Sequence, residues 1–262
     1  MKILALETGE AAGRGGASLV ALQIEGDDAR VAAQSAFENP RQLGGQIIQK
    51  IEETLQSAGW NDLQNVDALA LGAGPGSWTS LRVAFATFKT LAQSLEKPLI
   101  AVPSFDALAG ATQRAILNSL PRGRGKKAPI LGPHLMLCLS PCRPGELYGK
   151  LFHLSDDHFS QVQSESIAQL KDHLDAAFSQ ALADSIESPL LLVGSAAQEG
   201  ADFLVERGEE ELFRLLEIPP EAVTVEVALS AYFAVESEEI PELGELEPLY
   251  LAPSSAERNL GI

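Results

Sequence analysis

The apolar residues of this chain gather into short dense runs, separated by longer segments in which they recur every three or four positions. Residues 2–7 (KILALE) form the first run, ending at Thr8-Gly9, and Ser18 to Ile24 (SLVALQI) the second. The turn signal EGDD at Glu25 to Asp28 leads to a third, Ala29 to Phe37. Two hairpins, and so three mostly antiparallel strands, are predicted to open the chain. Asn39-Pro40 stops the third run, and from Gln42 to Ala58 the residues Leu43, Ile47, Ile48, Ile51 and Leu55 lie at helical spacing, closed by Gly59. That is an amphipathic helix with a glycine stop. Val66 to Leu71 reads as a short strand, Ser80 to Leu95 as a second helix and Leu99 to Val102 as another strand, after which Pro103-Ser104 caps a third helix through Leu120. The order is β-β-β-α-β-α-β.

A second, shorter round follows the Pro-, Gly- and Lys-rich stretch Pro121 to Gly132, whose composition can bury little. His134 to Leu139, Leu147 to His153, Phe159 to Gln163 and Leu190 to Val193 are strand candidates; Ile167 to Leu182 and Ala196 to Val205 are helix candidates. No repeat is visible at the level of residues, so a duplicated fold follows from element order alone. Pro220 to Val235 carries Val223, Val227, Ala228, Ala231, Tyr232 and Val235 at helical spacing, with Pro220 placed for a first turn. From Glu236 to Glu247 the chain is acidic and expected to be exposed. The expected organisation is an α/β protein with mixed sheets flanked by helices: a first lobe over 1–103, a second over 104–219, a C-terminal helix over 220–238 that returns to the first lobe, and an acidic tail over 239–262.

Composition narrows the partners. A chain of 262 residues with 45% apolar side chains can bury a substantial core, and no apolar run approaches a membrane span. Residues 1–6 lack the pattern of a secretory leader, so the expectation is a cytoplasmic protein with no membrane partner. Cys138 and Cys142 are too few for a disulfide framework and are expected to be reduced. The formal net charge of −17 opposes phosphate backbones, so RNA is expected to reach this chain only through a partner. One local exception is the cluster Arg122, Arg124, Lys126 and Lys127, either a solvated loop or a contact with RNA held elsewhere.

The most informative stretch joins a buried strand to a helix through glycines: LGAGPGSWTSLR, Leu71 to Arg82. Glycines allow sharp turning and close approach, and a helix N-terminus offers unpaired N–H groups to an anion. Gly74, Gly76, Ser77, Trp78, Thr79 and Arg82 are therefore candidates for an anion-binding turn, while Ser77 or Thr79 could equally satisfy those N–H groups as a cap. The segment is neither a Walker A loop nor a G-x-G-x-x-G dinucleotide turn.

These residues resemble a known family. GPGSWTSLRVAFATFKTLA, Gly74 to Ala92, is similar to the GPGSFTGLRIGLATAKGLA-type signature of the bacterial TsaB (YeaZ) proteins. PLIAVPSFDALA at Pro98 to Ala109, KILALETG at the start, PGELYGKLF at Pro144 to Phe152 and PLYLAPS at Pro248 to Ser254 resemble further segments of that family. The resemblance implies an actin-like, sugar-kinase-like fold of the ASKHA superfamily (ribonuclease H-like). It also implies a non-catalytic scaffold that binds the related subunit TsaD and, with TsaE, supports formation of N6-threonylcarbamoyladenosine in tRNAs reading ANN codons. ATP or ADP and any metal are then expected on the partner subunits, with no cofactor, metal or catalytic residue on this chain.

Departures from the family pattern point the same way. Leu6-Glu7-Thr8-Gly9 stands where IDTS is common, and Ser140-Pro-Cys-Arg-Pro-Gly-Glu146 where DARMGE is common. ATP-using relatives hold Mg²⁺ with acidic residues at these turns, which Ser140 and Pro141 cannot do. Glu7, alone, reads as a solvated strand-end carboxylate. Phe is replaced by Trp78 and Gly by Ser80 in the signature, and Ala252 stands where Arg is expected. His134, His153, His158 and His173 lack the i, i+4 spacing of a zinc protease, and Ser77 lacks a G-x-S-x-G elbow. The rival from another class is a small-molecule kinase or acyl transferase of the same fold.

The remaining candidate is a partner surface. Leu43, Ile47, Ile51 and Leu55 on the first helix, with Val83, Ala84, Ala86, Thr87, Leu91 and Ala92 on the second, exceed what one buried stripe requires. Ordinary core on both sides is the alternative. The family resemblance implies that these helices pair with TsaD, or with a second copy in a homodimer when the chain is alone.

Overall fold

The computed structural model of the chain describes residues 1–8, 17–37, 43–119, 133–155 and 158–251. The basic cluster at Arg122 to Lys127, Gln42 at the expected helix start and Ala252 lie outside the described residues. The chain divides into two units, one built from residues up to Ala107 and from Pro219 onward, the other from Leu108–Ile218.

In the first unit, β1 (Lys2–Glu7), β2 (Ala17–Glu25) and β3 (Asp28–Phe37) form an antiparallel meander, and β4 (Ala68–Gly72) and β5 (Leu99–Val102) add in parallel on the other side of β1. The sheet order is β3-β2-β1-β4-β5. Gly26, at φ 59°, supplies the left-handed residue of the β2–β3 turn. Alternation along β1 separates two faces. Leu4 and Leu6 join Leu69 and Leu71 of β4 in a core that α1 (Leu43–Ala58) and α2 (Trp78–Leu95) cover with Ile47, Ile51, Leu55, Phe85 and Phe88. Against the sheet also lies α6 (Pro220–Glu236), which packs on β1, β2 and β4 and buries Val223, Val227, Ala228 and Ala231. The Ser18 and Thr224 hydroxyls hydrogen-bond across the β2–α6 contact.

The second unit repeats the plan. An antiparallel meander of β6 (His134–Arg143), β7 (Glu146–Leu154) and β8 (Phe159–Ala168) is extended in parallel from β6 by β9 (Leu190–Val193) and β10 (Phe213–Leu216), in the order β10-β9-β6-β7-β8. Strand for strand this is the order of the first sheet. Helices α4 (Leu170–Ala183) and α5 (Ala197–Glu206) cover a core of Leu137, Leu139, Leu151, Leu174, Leu192 and Leu204. The division between units falls within α3 (Ser104–Ser119). Both units thus have the mixed sheet with flanking helices that element order predicts.

Several boundaries differ from the sequence reading, each for a stated reason. The helix expected from Ile167 begins at Leu170, because Ser164 to Ala168 continue β8 and pair with β7 as far as Ala168 opposite Leu147. Strand β10 has a half-exposed, mixed pattern in Phe213–Leu216 that carries no clear alternation, and parallel pairing with β9 defines it. The acidic segment after α6 is not uniformly exposed. Leu246 is buried in the first core, Leu243 packs beside it, and the Lys89 ammonium donates to the Leu246 carbonyl at 3.0 Å. Apolar residues at two positions anchor what the local charge suggested would be free.

Candidate functional site

The glycine-rich turn leaves β4 at Gly72 and enters α2 at Trp78. Gly72 is required by its neighbour. A Cβ there would collide with the Glu7 carboxylate, which lies across the end of β4. Glu7 is fully buried, contrary to the solvated strand-end carboxylate expected from sequence, because the turn and α3 close over the end of β1. The Ser104 Oγ at the start of α3 lies 3.0 Å from each Glu7 carboxylate oxygen and accepts the Gly74 N–H at 3.1 Å. The Ser104 N–H donates to the Gly74 carbonyl at 2.8 Å, Ala73 N–H to Val102 at 2.7 Å, and Leu249 N–H to Ala73 at 2.8 Å. Gly74 adopts φ 102° and precedes a cis peptide to Pro75. The sequence marks Ser104 only as a helix cap and Leu249 only as part of PLYLAPS; neither is tied there to the glycine turn, since each is far along the chain from the glycines it holds.

Two N–H donors in the first turn of α2 are already in use within the chain. The Ser77 Oγ caps α2 by accepting the Ser80 N–H at 3.4 Å, and the Ser77 carbonyl accepts Leu81 N–H at 2.9 Å. Of the residues considered for anion contact, Gly74 is buried, Gly76 and Ser77 are half-buried, and Trp78, Thr79 and Arg82 are exposed. The Arg82 guanidinium stacks 4.2 Å from the centre of the Trp78 ring, and Tyr250 stands 6.2 Å from it at 40°. Partial burial pushes the Tyr250 phenol above its ordinary range, with Arg82 pulling the other way.

At the second acidic turn of the family pattern, Ser140 is buried and receives the Ser195 hydroxyl at 3.5 Å. Among the described residues no three His, Cys, Asp or Glu side chains converge as metal ligands. His153 approaches Asp184 at 3.0 Å, His158 shares a hydrogen bond with Ser155, and His173 lies buried against the Leu147 carbonyl. Cys138 is buried, Cys142 is half-buried, and both are free thiols. Among the described residues no helix is long and apolar enough to cross a membrane.

The partner-surface residues separate into two groups. Leu43, Ile47, Ile51 and Leu55 are at most 4% exposed and fill the core under α1, and Ala84 and Ala92 are buried under α2. These six face the sheet and are not surface residues, which corrects the sequence reading. The apolar stripe of α1 is used once, by the protein's own core. Val83, Thr87 and Leu91 are half-buried and Ala86 is exposed; Val83 and Leu91 pack against the rim of the first core, and this side of α2 presents small and apolar groups with part of their surface open. Alongside it on α1, Gly44 and Gly45 are exposed and Ile48 is 51% exposed; a Cβ on Gly44 would lie 3.8 Å from the Val83 methyls. Ile48, counted in the helical spacing, and Gly44 are both missing from the partner-surface set read from sequence, because they sit between the stripe positions.

Residues 39–121 match the family model described as "TsaD: tRNA N6-adenosine threonylcarbamoyltransferase". Over 65 residues the chain is 40% identical to the tRNA threonylcarbamoyladenosine biosynthesis protein TsaB of Haemophilus influenzae, a match spanning 25% of this chain and 27% of that protein. The fold is similar to that of YeaZ from Pseudomonas aeruginosa, with a TM-score of 0.63 at 23% identity over 95% of this chain and 99% of the other. A second Pseudomonas aeruginosa structure, of an uncharacterized protein with similarity to peptidase YEAZ, gives 0.62 at 23% identity over 96% and 99%. The chain is thus similar to TsaB and TsaD proteins over one segment of its sequence and to YeaZ in its fold over nearly its whole length.

Proposed function

We propose that this chain takes part in threonylcarbamoyladenosine formation on tRNA as a non-catalytic scaffold that binds TsaD, with TsaE completing the assembly. The observation that carries this reading is the face formed by Val83, Ala86, Thr87 and Leu91 of α2 with Gly44 and Ile48 of α1. Small side chains allow helices of another subunit to approach closely, and Ile48 and Leu91 offer apolar area to bury. Further support comes from the end of β1, where Glu7 is enclosed by Ser104 and Gly72 rather than presented at an open site. Nucleotide and metal chemistry then belong to the partner subunits, and tRNA is engaged only through the complex, in the cytoplasm. Alone, the chain pairs with a second copy through the same face, so homodimer and heterodimer exclude one another.

Reconstitution tests the reading. Purified TsaD and TsaE from the same source, given tRNA, ATP and the threonylcarbamoyl donor, are expected to modify tRNA only when this chain is added. Full modification without it, or ATP turnover by this chain alone that is lost on Glu7→Ala, would reject the scaffold assignment.

A further inference from the structure

The C-terminal end of α6 breaks several local rules at one place. Phe233 is 63% exposed although it lies in the last turn of a helix, and it meets Tyr232 edge to face at 5.3 Å. The chain then reverses. Glu238 N–H donates to Val235 at 3.2 Å and Glu239 N–H to Ala234 at 2.8 Å, with Glu238 in the left-handed region at φ 58°. Both the Ser237 N–H and its hydroxyl bond to the Phe233 carbonyl. This reversal brings exposed Glu236, Glu238 and Glu239 to the negative end of the helix dipole, and α6 has no basic residue in its last turn. Ile240, 46% exposed, follows directly. Among the described residues none of Glu236, Glu238 and Glu239 is paired with a Lys or Arg.

Each feature is unfavourable for the isolated chain: an aromatic ring in water, carboxylates crowded at a helix C-terminus, and a glutamate where glycine is the unstrained choice. The first two are relieved by the same visitor, and the left-handed Glu238 holds the carboxylates in place. From this we infer that the end of α6 is a docking surface for a lysine- or arginine-bearing segment of a partner protein. A cationic head is attracted to the face of Phe233 and to the surrounding carboxylates, and its aliphatic stem covers Phe233 and Ile240. Nucleic acid and anionic lipid carry the wrong charge for this turn. The surface is separate from the α1–α2 face and does not depend on the function proposed above.

The experiment uses the full chain and a fluorescent peptide of alternating arginine, lysine and leucine, with its citrulline and acetyl-lysine counterpart as the uncharged control. Anisotropy at physiological salt is expected to register binding of the charged peptide alone. Phe233→Ser and the pair Glu238→Lys with Glu239→Lys should each weaken it about tenfold or more, the loss expected for a desolvated anchor. Glu210→Lys with Glu211→Lys makes the same change in net charge at exposed positions of the second unit and should leave binding unchanged. Equal weakening by both charge reversals would mean diffuse attraction to an acidic protein and would overturn the inference. So would indifference to Phe233→Ser, the absence of peptide binding, or binding of poly(U) through the same residues.

Discussion

Glu7 and Ser104 form the contact on which the glycine-rich turn rests, and they are separated by most of the first unit's sequence. Ser104 both meets the Glu7 carboxylate and accepts the Gly74 N–H, so its hydroxyl serves two buried polar groups. Ser104→Ala is expected to cost about 1–3 kcal/mol, because the lost partners are left dry rather than returned to water. Urea denaturation measures this as a lower midpoint with an unchanged slope, and an unchanged midpoint would mean that other groups or water take over. An analogous close fit holds in the second unit, where Gly149 of β7 lies directly under the His173 ring of α4. Gly149→Ala should push that ring off its Leu147 hydrogen bond and destabilise the fold by roughly 1–3 kcal/mol, as overpacking does. A stability equal to the parent would show that α4 can move away from β7 without loss.

Helix α2 illustrates how an element's two ends and two faces are decided separately. Its C-terminal residue Glu96 is left-handed at φ 53°, with its N–H and that of Lys97 both directed to the Ala92 carbonyl. Glycine adopts this conformation without a Cβ clash, so Glu96→Gly should raise stability by about 0.5–1 kcal/mol despite greater freedom in the unfolded chain. Thermal unfolding of the exposed-site variant checks the sign; a loss would mean that unfolded-state entropy outweighs the relief. The faces differ more sharply. Ile47→Glu would bury a charge against β-sheet core and should prevent folding, whereas Ala86→Glu is expected to leave a folded monomer and weaken helix-mediated association by on the order of 2–4 kcal/mol. Sedimentation with and without TsaD distinguishes them, and persistence of both complexes in the Ala86→Glu protein would remove α2 from the interface.

At the scale of the molecule, a net charge of −17 sets a long-range field that opposes tRNA. The isolated chain is expected not to shift tRNA in a gel at physiological salt, and a shift there would place an RNA site on this chain. Sequence alone determined most of the architecture. Strands such as Leu99–Val102 and Leu190–Val193, and the helices Leu43–Ala58 and Pro220–Glu236, are set by runs and spacings that are local and strong. Their order, β-β-β-α-β-α-β and then its shortened repeat, suffices for the duplicated fold because parallel and antiparallel connections of these lengths have few arrangements. The glycine-rich signature was equally legible, since its residues are contiguous. Tertiary structure decided what depends on contacts between distant residues: that Glu7 is enclosed, that Leu43, Ile47, Ile51 and Leu55 are used inward, and that Leu246 ties an acidic segment to the core. Spacing fixes which residues share a helix face, but only the sheet packed beneath that face decides whether it is core or surface.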